Sequence, residues 1–411
     1  MAKMKDKMRR LLKRALLLCL CMALLTGSAL ANEIVDISTD GYDCLYYRGQ
    51  LPDGRVLFSG WKGTVGNYVD SRARIICLNP DMMVSWEYID PEEGSCGFYA
   101  LTVLKDGTIA ALLDNSPYQK SESQKLKYFT SDGKPTGKEI DIQGTTLLVD
   151  GTSPSCLWAL STPDGDDEAC RVVYDWEGNM LFRDTEGHSV ISGARQMIEE
   201  ENGLVFAGSE SGLRTCARIA KVDFQGNLLW ETVLPLTLEG AEEGSLKDFV
   251  KADDGGYLAL LYECGPADPN GLTAISSYAV VKFSSNGRLL WKNTKPFEGK
   301  TDIWVGKLVM YNGKLVTEIE RLHNTNNSVS DPHTFLWMDQ EGNELGTTEL
   351  IVKQAELPRH ADLKKVYTLG FGRLIPTENG LWGLESICQD NRDQIKAMDN
   401  EDDLLIRIPE L

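Results

Sequence analysis

The sequence predicts an all-β protein made of about seven consecutive sets of four short antiparallel strands. A Gly-centred turn before an apolar strand recurs along the chain, a second Gly-closed turn alternates with it, and no amphipathic helical stretch separates the strands. Parallel strands need crossover helices, so antiparallel pairing is expected. Stacking the sets around a common axis leaves few open sheet edges, which predicts a β-propeller of about seven four-stranded blades.

The first signature is an Asn-Gly, Asp-Gly or similar pair followed by an apolar strand. These pairs tolerate positive φ, so each copy predicts a tight hairpin turn. The copies begin at Asp53, Asp106, Asn202, Asp254, Asn312 and Asn379.

The second signature is a strand, a turn closed by Gly, and another strand that often carries Trp. Its best copies are Val222–Trp230 and Phe283–Trp291, weaker copies surround Gly133, Gly178 and Gly342, and a degenerate copy has Met82 in the glycine position with Trp86 in register. We expect Trp86, Trp230 and Trp291 to be structural, because a buried indole contributes a large apolar area.

Strand assignments follow from the turns. In the second repeat they are Phe98–Leu104, Thr108–Leu113, Leu126–Thr130 and Gly137–Ile142. The third repeat is poor, since Leu147–Asp150 and Leu157–Leu160 lack the usual Gly turn, and six or eight blades remain alternatives. In the last repeat Asp403–Ile408 is the third strand, and Ile34–Ile37 is predicted to close the ring as the missing outer strand.

The N-terminus has the features of a secretory signal. Seven basic residues precede the apolar run Ala15–Leu25, and Ala29-Leu30-Ala31 fits a signal peptidase site before Asn32. We therefore predict a signal peptide over 1–31 and a single propeller domain over 32–411, secreted or at the cell surface. A retained N-terminal anchor is the alternative.

The net charge of the chain limits the classes of partner that it is expected to bind. The formal net charge is −19, and removal of the predicted signal, with seven basic residues and one acid, takes it to −25. Such a surface repels phosphates and anionic lipid headgroups, so neither nucleic acid nor a membrane is an expected partner after cleavage. We expect a monomer that binds a protein or glycan ligand.

Eight cysteines follow the predicted cleavage site, and an even number in an exported chain permits disulfides. Cys156 and Cys170 are the best local pair, because they are expected on neighbouring strands of one hairpin. Isolated buried thiols are the alternative. No C-x-x-C spacing indicates a zinc site or a redox pair.

The Gly-x-Leu-Leu-Trp strands at Gly226 and Gly287 resemble quinoprotein-like (PQQ-like) propeller repeats, and Asp253–Leu258 resembles repeats of bacterial exported propellers of unassigned function. The resemblance implies that the repeat Trp packs between blades. Enzymes of that family hold a quinone beside a disulfide between adjacent cysteines, and this chain has no Cys-Cys pair. No cofactor is therefore expected.

No catalytic constellation emerges from the motifs. The four histidines have no metal-ligand spacing, so no metal is predicted, and Gly208–Gly212 has Glu where a nucleophile would stand. We expect a non-catalytic binding and interaction module. The alternative is a carboxylate-based hydrolase acting on polysaccharide, which needs two carboxyl groups about 5 to 9 Å apart.

Strand direction predicts where a ligand binds. The Gly signatures fall at the first and third turns of each blade, which open on one face, so the other face receives the longer segments. These are Asn115–Gln124, Gly265–Ser276, His323–Pro332, Lys353–Lys364 and Asp390–Asn400. Glu-Gly pairs recur between blades at Glu93, Glu186, Glu243 and Glu298. We interpret them as a partial acidic ring that attracts a cation or a basic group, with simple turns as the alternative.

Overall fold

A computed structural model shows seven four-stranded antiparallel sheets, which confirms the predicted fold class and blade number. It describes residues 32–39, 42–64, 67–91, 97–114, 124–142, 148–161, 170–183, 194–209, 216–236, 243–267, 273–296, 303–321, 332–358, 366–389 and 401–411. The predicted signal segment lies outside these ranges. Within them no helix has the length and apolarity to cross a membrane.

The first four blades run from the inner to the outer strand in chain order. Blade 1 contains β2 (Tyr42–Gln50), β3 (Val56–Thr64), β4 (Asn67–Leu78) and β5 (Val84–Ile89); blade 2 contains β6 (Gly97–Val103), β7 (Ile109–Asp114), β8 (Gln124–Phe129) and β9 (Pro135–Ile142). Blade 3 contains β10 (Leu148–Thr152), β11 (Cys156–Ser161), β12 (Cys170–Asp175) and β13 (Met180–Arg183); blade 4 contains β14 (Ala194–Glu200), β15 (Gly203–Ser209), β16 (Ala217–Val222) and β17 (Leu228–Val233).

The remaining blades follow the same order, and the N-terminal strand completes the last one. Blade 5 contains β18 (Glu243–Lys251), β19 (Tyr257–Ala267), β20 (Thr273–Phe283) and β21 (Leu289–Pro296); blade 6 contains β22 (Ile303–Tyr311), β23 (Lys314–Arg321), β24 (His333–Met338) and β25 (Glu344–Leu350). Blade 7 contains β26 (Val366–Thr377), β27 (Gly380–Gln389), β28 (Glu401–Arg407) and β1 (Ile34–Asp36). A short 3₁₀ helix spans Gln354–Glu356.

The ring closes as predicted, because β1 is the outer strand of blade 7. Val35 lies opposite Leu405 in this antiparallel pair, and the Arg407 N–H donates to the Glu33 carbonyl at 3.0 Å. The Arg407 guanidinium also lies 3.0 Å from the Glu33 carboxylate. The first and last strands of the fold are thus joined in one sheet, which removes an open seam.

The core is divided among the interfaces between blades. The buried apolar residues of the described chain form seven clusters, each of which combines two neighbouring blades. Between blades 1 and 2, for example, the Tyr88 and Phe129 rings meet edge to face at 4.7 Å. Each blade therefore depends on both neighbours for the burial of its two faces.

The repeat tryptophans pack between blades, as the resemblance implies. The half-buried indoles of Trp86, Trp230 and Trp291 lie over Gly133, Gly287 and Gly342, the turn glycines of the next blade. These glycines have φ between 77° and 78°. The degenerate first copy keeps the same backbone, since Met82 has φ 62°.

The poor third repeat forms a regular blade by a different turn. The Ser153 Oγ accepts a hydrogen bond from the Cys156 N–H at 3.1 Å, and the Ser155 N–H donates to the Glu199 carboxylate of blade 4 at 2.9 Å. Side-chain oxygens thus bind backbone N–H groups in a turn that lacks the glycine of the other copies.

The two faces of the ring differ in loop length, as predicted. The first turn of every blade and the third turn of blades 1 to 6 contain two to five residues; we call their face the turn rim and the opposite face the link rim. On the link rim the connections after β7, β23, β25 and β27 have 9, 11, 15 and 11 residues, whereas the β3–β4 turn has two. Most of these long connections lie outside the described residues. The predicted loop Gly265–Ser276 is shorter than expected, because β19 and β20 extend into it as far as Ala267 and Thr273.

The proposed disulfide between Cys156 and Cys170 is wrong. The two residues are on paired strands, but Cys156 lies opposite Asp175 and Cys170 lies opposite Ser161, five positions away along the hairpin. Cys156 is a free cysteine, so no disulfide joins the two residues. Cys156 is an isolated buried thiol, and burial raises its pKa to about 11.

Candidate functional site

The candidate site is a cavity of about 570 Å³ on the propeller axis. Its described walls come from the inner strands of six blades, with Leu384 and Ser386 of β27. The inner-strand residues are Cys44, Leu45, Tyr46, Tyr47, Arg48, Gly151, Thr152, Gln196, Met197, Ile198, Asp248, Phe249, Lys307, Gly372 and Arg373. Polar and apolar groups both contribute to the lining, and four of the residues are charged.

Each inner strand contains a β-bulge, and three of the bulge residues, Arg48, Lys307 and Gly372, line the cavity. In β2, Tyr47 lies opposite Phe58 and Gly49 lies opposite Leu57, so Arg48 is an extra residue without a cross-strand partner position. A bulge re-aims side chains next to a site. The corresponding extra residues in the other inner strands are Tyr99, Asp150, Arg195, Lys247, Lys307 and Gly372. Four of the seven bulge positions are therefore basic.

Arg48 is fixed at the channel wall by polar and aromatic contacts. Its Nε donates to the Ser59 Oγ at 2.9 Å, and its guanidinium carbon lies 5.0 Å from the centre of the Tyr46 ring. The Ser59 hydroxyl in turn donates to the Phe98 carbonyl of blade 2 at 2.9 Å. Burial lowers the pKa of Arg48 to about 10, which leaves it positively charged at neutral pH.

Asp248 ties blades 5, 6 and 7 together at the cavity. Its carboxylate is 1% exposed; Oδ2 accepts from the Leu308 N–H at 2.9 Å and lies 3.7 Å from Nη1 of Arg373. The Arg373 side chain remains 40% exposed. The carboxylate is thus held by backbone as well as by charge, while the guanidinium keeps contact with the channel solvent.

The cavity has the opposite sign to the whole protein. Arg48, Lys307 and Arg373 supply three positive charges and Asp248 one negative charge, so the described lining has a net charge of +2 in a chain of −19. A concave site with low-dielectric walls concentrates such a field and attracts ions of the opposite sign.

The sequence-predicted acidic ring stays a prediction. Glu93, Glu186 and Glu298 lie outside the described residues, and Glu243 begins β18 at the link rim, where its backbone pairs with Cys264. The sequence did carry a signal for the basic channel. The cavity residues Arg48, Lys307 and Arg373 each lie six or seven residues before the glycine of a first-signature turn.

A second buried polar cluster lies between blades 6 and 7. Nδ1 of His333 is 2.7 Å from the Glu318 carboxylate and its Nε2 is 3.5 Å from that of Glu385, with the Phe371 ring 4.8 Å from the imidazole. All three polar side chains are at most 3% exposed. This cluster ties two blades together away from solvent. No group of three or more His, Cys, Asp or Glu suited to hold a metal ion occurs in the part of the chain that the structure describes.

The geometry defines a seven-bladed β-propeller with a basic axial cavity. No family model matches the chain, so the resemblance to quinoprotein-like repeats is not confirmed, and no curated protein matches it.

Solved structures similar to the chain include enzymes and proteins of unknown function. A structure of prolyl endopeptidases has 16% identity and a TM-score of 0.46 over 83% of this chain and 45% of that one, so this chain spans less than half of its length. A protein of unknown function from Dyadobacter fermentans has 12% identity and a TM-score of 0.43 over 92% and 98%. The periplasmic gluconolactonase of Pseudomonas aeruginosa has 11% identity and a TM-score of 0.42 over 89% and 97%. These likenesses assign no activity to the chain.

Proposed function

We propose that the chain is an exported binding module that takes its ligand into the axial cavity from the link rim. The observation that carries this proposal is the cavity itself, whose walls are inner strands of six blades and therefore rigid. A volume of about 570 Å³ falls in the range of sites for small molecules or for a protruding group of a larger ligand. The long connections of the link rim supply the variable surface around its entrance.

The cavity favours binding over the hydrolase alternative. Asp248 is the one carboxylate among the described lining residues, and it is already engaged by the Leu308 N–H and Arg373. A glycoside hydrolase of the usual kind needs a second carboxyl group about 5 to 9 Å away to share the acid and base roles.

A screen with a blocked cavity tests the proposal. Gly372 lines the cavity, and a Cβ placed on it has only the Leu384 carbonyl within 4 Å, at 3.9 Å, so Gly372→Trp places an indole in the channel without a clash at Cβ. The purified chain is screened against glycans and envelope proteins. We expect a ligand that binds the parent chain and is lost in Gly372→Trp, but is kept in Lys134→Trp, which changes an exposed turn-rim residue.

Two outcomes would contradict the binding module. Ligand binding that is unaffected by Gly372→Trp would mean that the ligand binds outside the channel. Release of a product from a screened glycan, followed by chromatography over several hours, would favour the hydrolase instead.

Export is part of the proposal and has its own support. The Asn32 Nδ2 donates to the Ile351 carbonyl at 2.8 Å and to the Glu356 carboxylate at 2.9 Å, so the folded part already includes the residue after the predicted cleavage site. N-terminal sequencing of protein recovered from the culture medium or the cell envelope should begin at Asn32. Light scattering of the same sample tests the expected monomer.

A further inference from the structure

We propose that the ligand of the axial cavity is a small organic oxyanion, held through a carboxylate or phosphate group by Arg48, Lys307 and Arg373. This inference rests on the proposed function to the extent that both use the same cavity. It adds the chemical class of the ligand and the residues that select it.

The three cations occupy one arc of the ring. Arg48 is in blade 1, Lys307 in blade 6 and Arg373 in blade 7, and these blades are consecutive around the axis because β1 closes blade 7 beside blade 1. The described lining from blades 3 and 4 is uncharged, namely Gly151, Thr152, Gln196, Met197 and Ile198. The cavity therefore fits a molecule with an anionic end and a less polar body.

The two arginines are only partly satisfied by the protein. The hydrogen bond from Arg48 to Ser59 uses Nε, and the Arg373 guanidinium approaches Asp248 at 3.7 Å, well beyond the 2.7 to 2.9 Å or so of a charge-assisted hydrogen bond. Guanidinium groups present paired N–H donors whose spacing matches the two oxygens of a carboxylate or phosphate. An oxyanion between the arginines would gain such bonds and balance the charge of the half-buried Arg48.

The inference is specific about charge, because the predicted acidic ring and the basic cavity lining would attract ligands of opposite sign. The acidic pairs that include Glu243 would attract calcium or a basic peptide at the mouth, whereas the cavity lining of +2 attracts an anion further inside. Binding of anions to a protein of net charge −19 requires a local positive site, since the average field opposes it.

Calorimetric titration of the purified chain tests the inference with citrate as the carboxylate probe and inorganic pyrophosphate as the phosphate probe. We expect at least one to bind, with an affinity that falls as NaCl is raised. Arg373→Gln and Lys307→Gln should each raise the Kd at least about tenfold, because a hydrogen bond to a charged group is lost. Lys134→Gln removes the same charge from the turn rim and should leave the Kd unchanged.

Asp248→Asn separates a binding role from a structural one. The amide oxygen can still accept from the Leu308 N–H, the hydrogen bond from the Phe249 N–H to Oδ1 is lost, and the negative charge beside Arg373 disappears. The inference requires tighter anion binding in this variant. A variant that merely loosened the fold would bind more weakly.

The possible outcomes distinguish the oxyanion inference from the proposed binding function. Citrate binding without pyrophosphate binding identifies a carboxylate ligand, and the reverse identifies a phosphate. A Kd that is unchanged in Arg373→Gln and Lys307→Gln would overturn the inference, as would heat from calcium or a basic peptide but from neither anion. If a screened ligand is lost in Gly372→Trp but binds normally to both charge variants, the binding module stands and the oxyanion is wrong.

Discussion

The Cα of Gly342 lies under the indole of Trp291 with no space between them for a methyl group. A Cβ on Gly342 would lie 2.7 Å from Cη2 of Trp291, and the Gly342 carbonyl accepts a hydrogen bond from the Asn293 side chain at 2.7 Å. Gly342 also has φ +78°, which disfavours any L side chain. Two independent requirements, one from the turn and one from the neighbouring blade, therefore select glycine at this position.

Gly342→Ala should destabilise the protein more than Gly313→Ala. Both residues are in blade 6 with positive φ, but a Cβ on Gly313 has nothing within 4 Å. We expect a loss of about 1 to 2 kcal/mol for Gly313→Ala from the backbone alone, and about 1 to 3 kcal/mol more for Gly342→Ala from the displaced indole. Urea denaturation followed by tryptophan fluorescence measures both, and equal losses would refute the packing explanation.

Removing the indole should abolish that difference. In a Trp291→Ala background the alanine at position 342 meets no ring, so its cost should fall to that of Gly313→Ala. The double-mutant cycle is expected to give a coupling of at least about 1 kcal/mol, since the two residues are in direct contact. A coupling near zero would mean that the blade relaxes away from the substitution.

Deletion of residues 32–37 should open the ring. These residues contain β1, and their loss leaves the outer edge of β28 unpaired and removes the Arg407–Glu33 ion pair. We expect the unfolding temperature to fall by at least about 5 °C relative to the chain beginning at Asn32, since several ladder hydrogen bonds are lost. Calorimetry tests this, with Glu33→Gln as the control that removes only the exposed ion pair. Equal unfolding temperatures for the deletion and the parent would refute the closure.

The third turn of blade 4 should weaken in acid. Hydrogen bonds from the Asn227 side chain and from the backbone N–H groups of Asn227 and Gln225 lower the pKa of Asp223. A carboxylate whose pKa is lower in the folded state stabilises above its unfolded pKa of about 3.9, and this stability is lost as pH falls through the folded value.

Asp223→Ser gives the test. The equivalent Ser284 of blade 5 keeps the turn by accepting from the Arg288 N–H at 3.0 Å without a titrating group. The parent should unfold at a higher temperature than Asp223→Ser at pH 6, and the two should converge as the pH is lowered below about 4. A constant difference across this range would exclude Asp223 as the titrating group.

Thiol alkylation should distinguish the cysteines. Burial raises the pKa of Cys77 and of Cys156 to about 11, and neither is exposed, whereas Cys44 and Cys216 are partly exposed. Because the thiolate is the reactive form, iodoacetamide at pH 8 should modify Cys216 or Cys44 while Cys77 and Cys156 stay unmodified until urea is added. Peptide mass spectrometry reads out each site. Early modification of Cys156 would contradict its placement in the core.

The turns could be predicted from sequence because their determinants are local. Asp254-Gly255 and Asp223 to Asn227 carry the conformation and its hydrogen bonds within five residues. Ring closure by the segment from Ile34 was also predictable, since the last repeat lacked one strand. The first turn of blade 3 was not predicted, because it lacks the glycine of the other copies. There the Ser153 side chain accepts a hydrogen bond from the Cys156 N–H.

The residues that line the channel could not be predicted from local sequence in the same way. Arg48 stands in a strand whose register shifts by one residue, and such a bulge depends on how β2 pairs with β3 and not on the residues of β2 alone. The cysteine pairing failed for a related reason. Cys156 and Cys170 are on paired strands, but the register that sets them five positions apart follows from the length of the loop between them.

Strand β1 pairs with β28, which is synthesised much later than β1. Ser38, just after β1, bonds to Asp403 of β28 across a separation of 365 residues. A pairing of such high contact order forms late, after the intervening blades have brought the two ends together. A chain that emerges N-terminus first from the ribosome therefore remains an incomplete arc until β28 has been synthesised, and proteases or chaperones that act on the unpaired edge can act throughout synthesis.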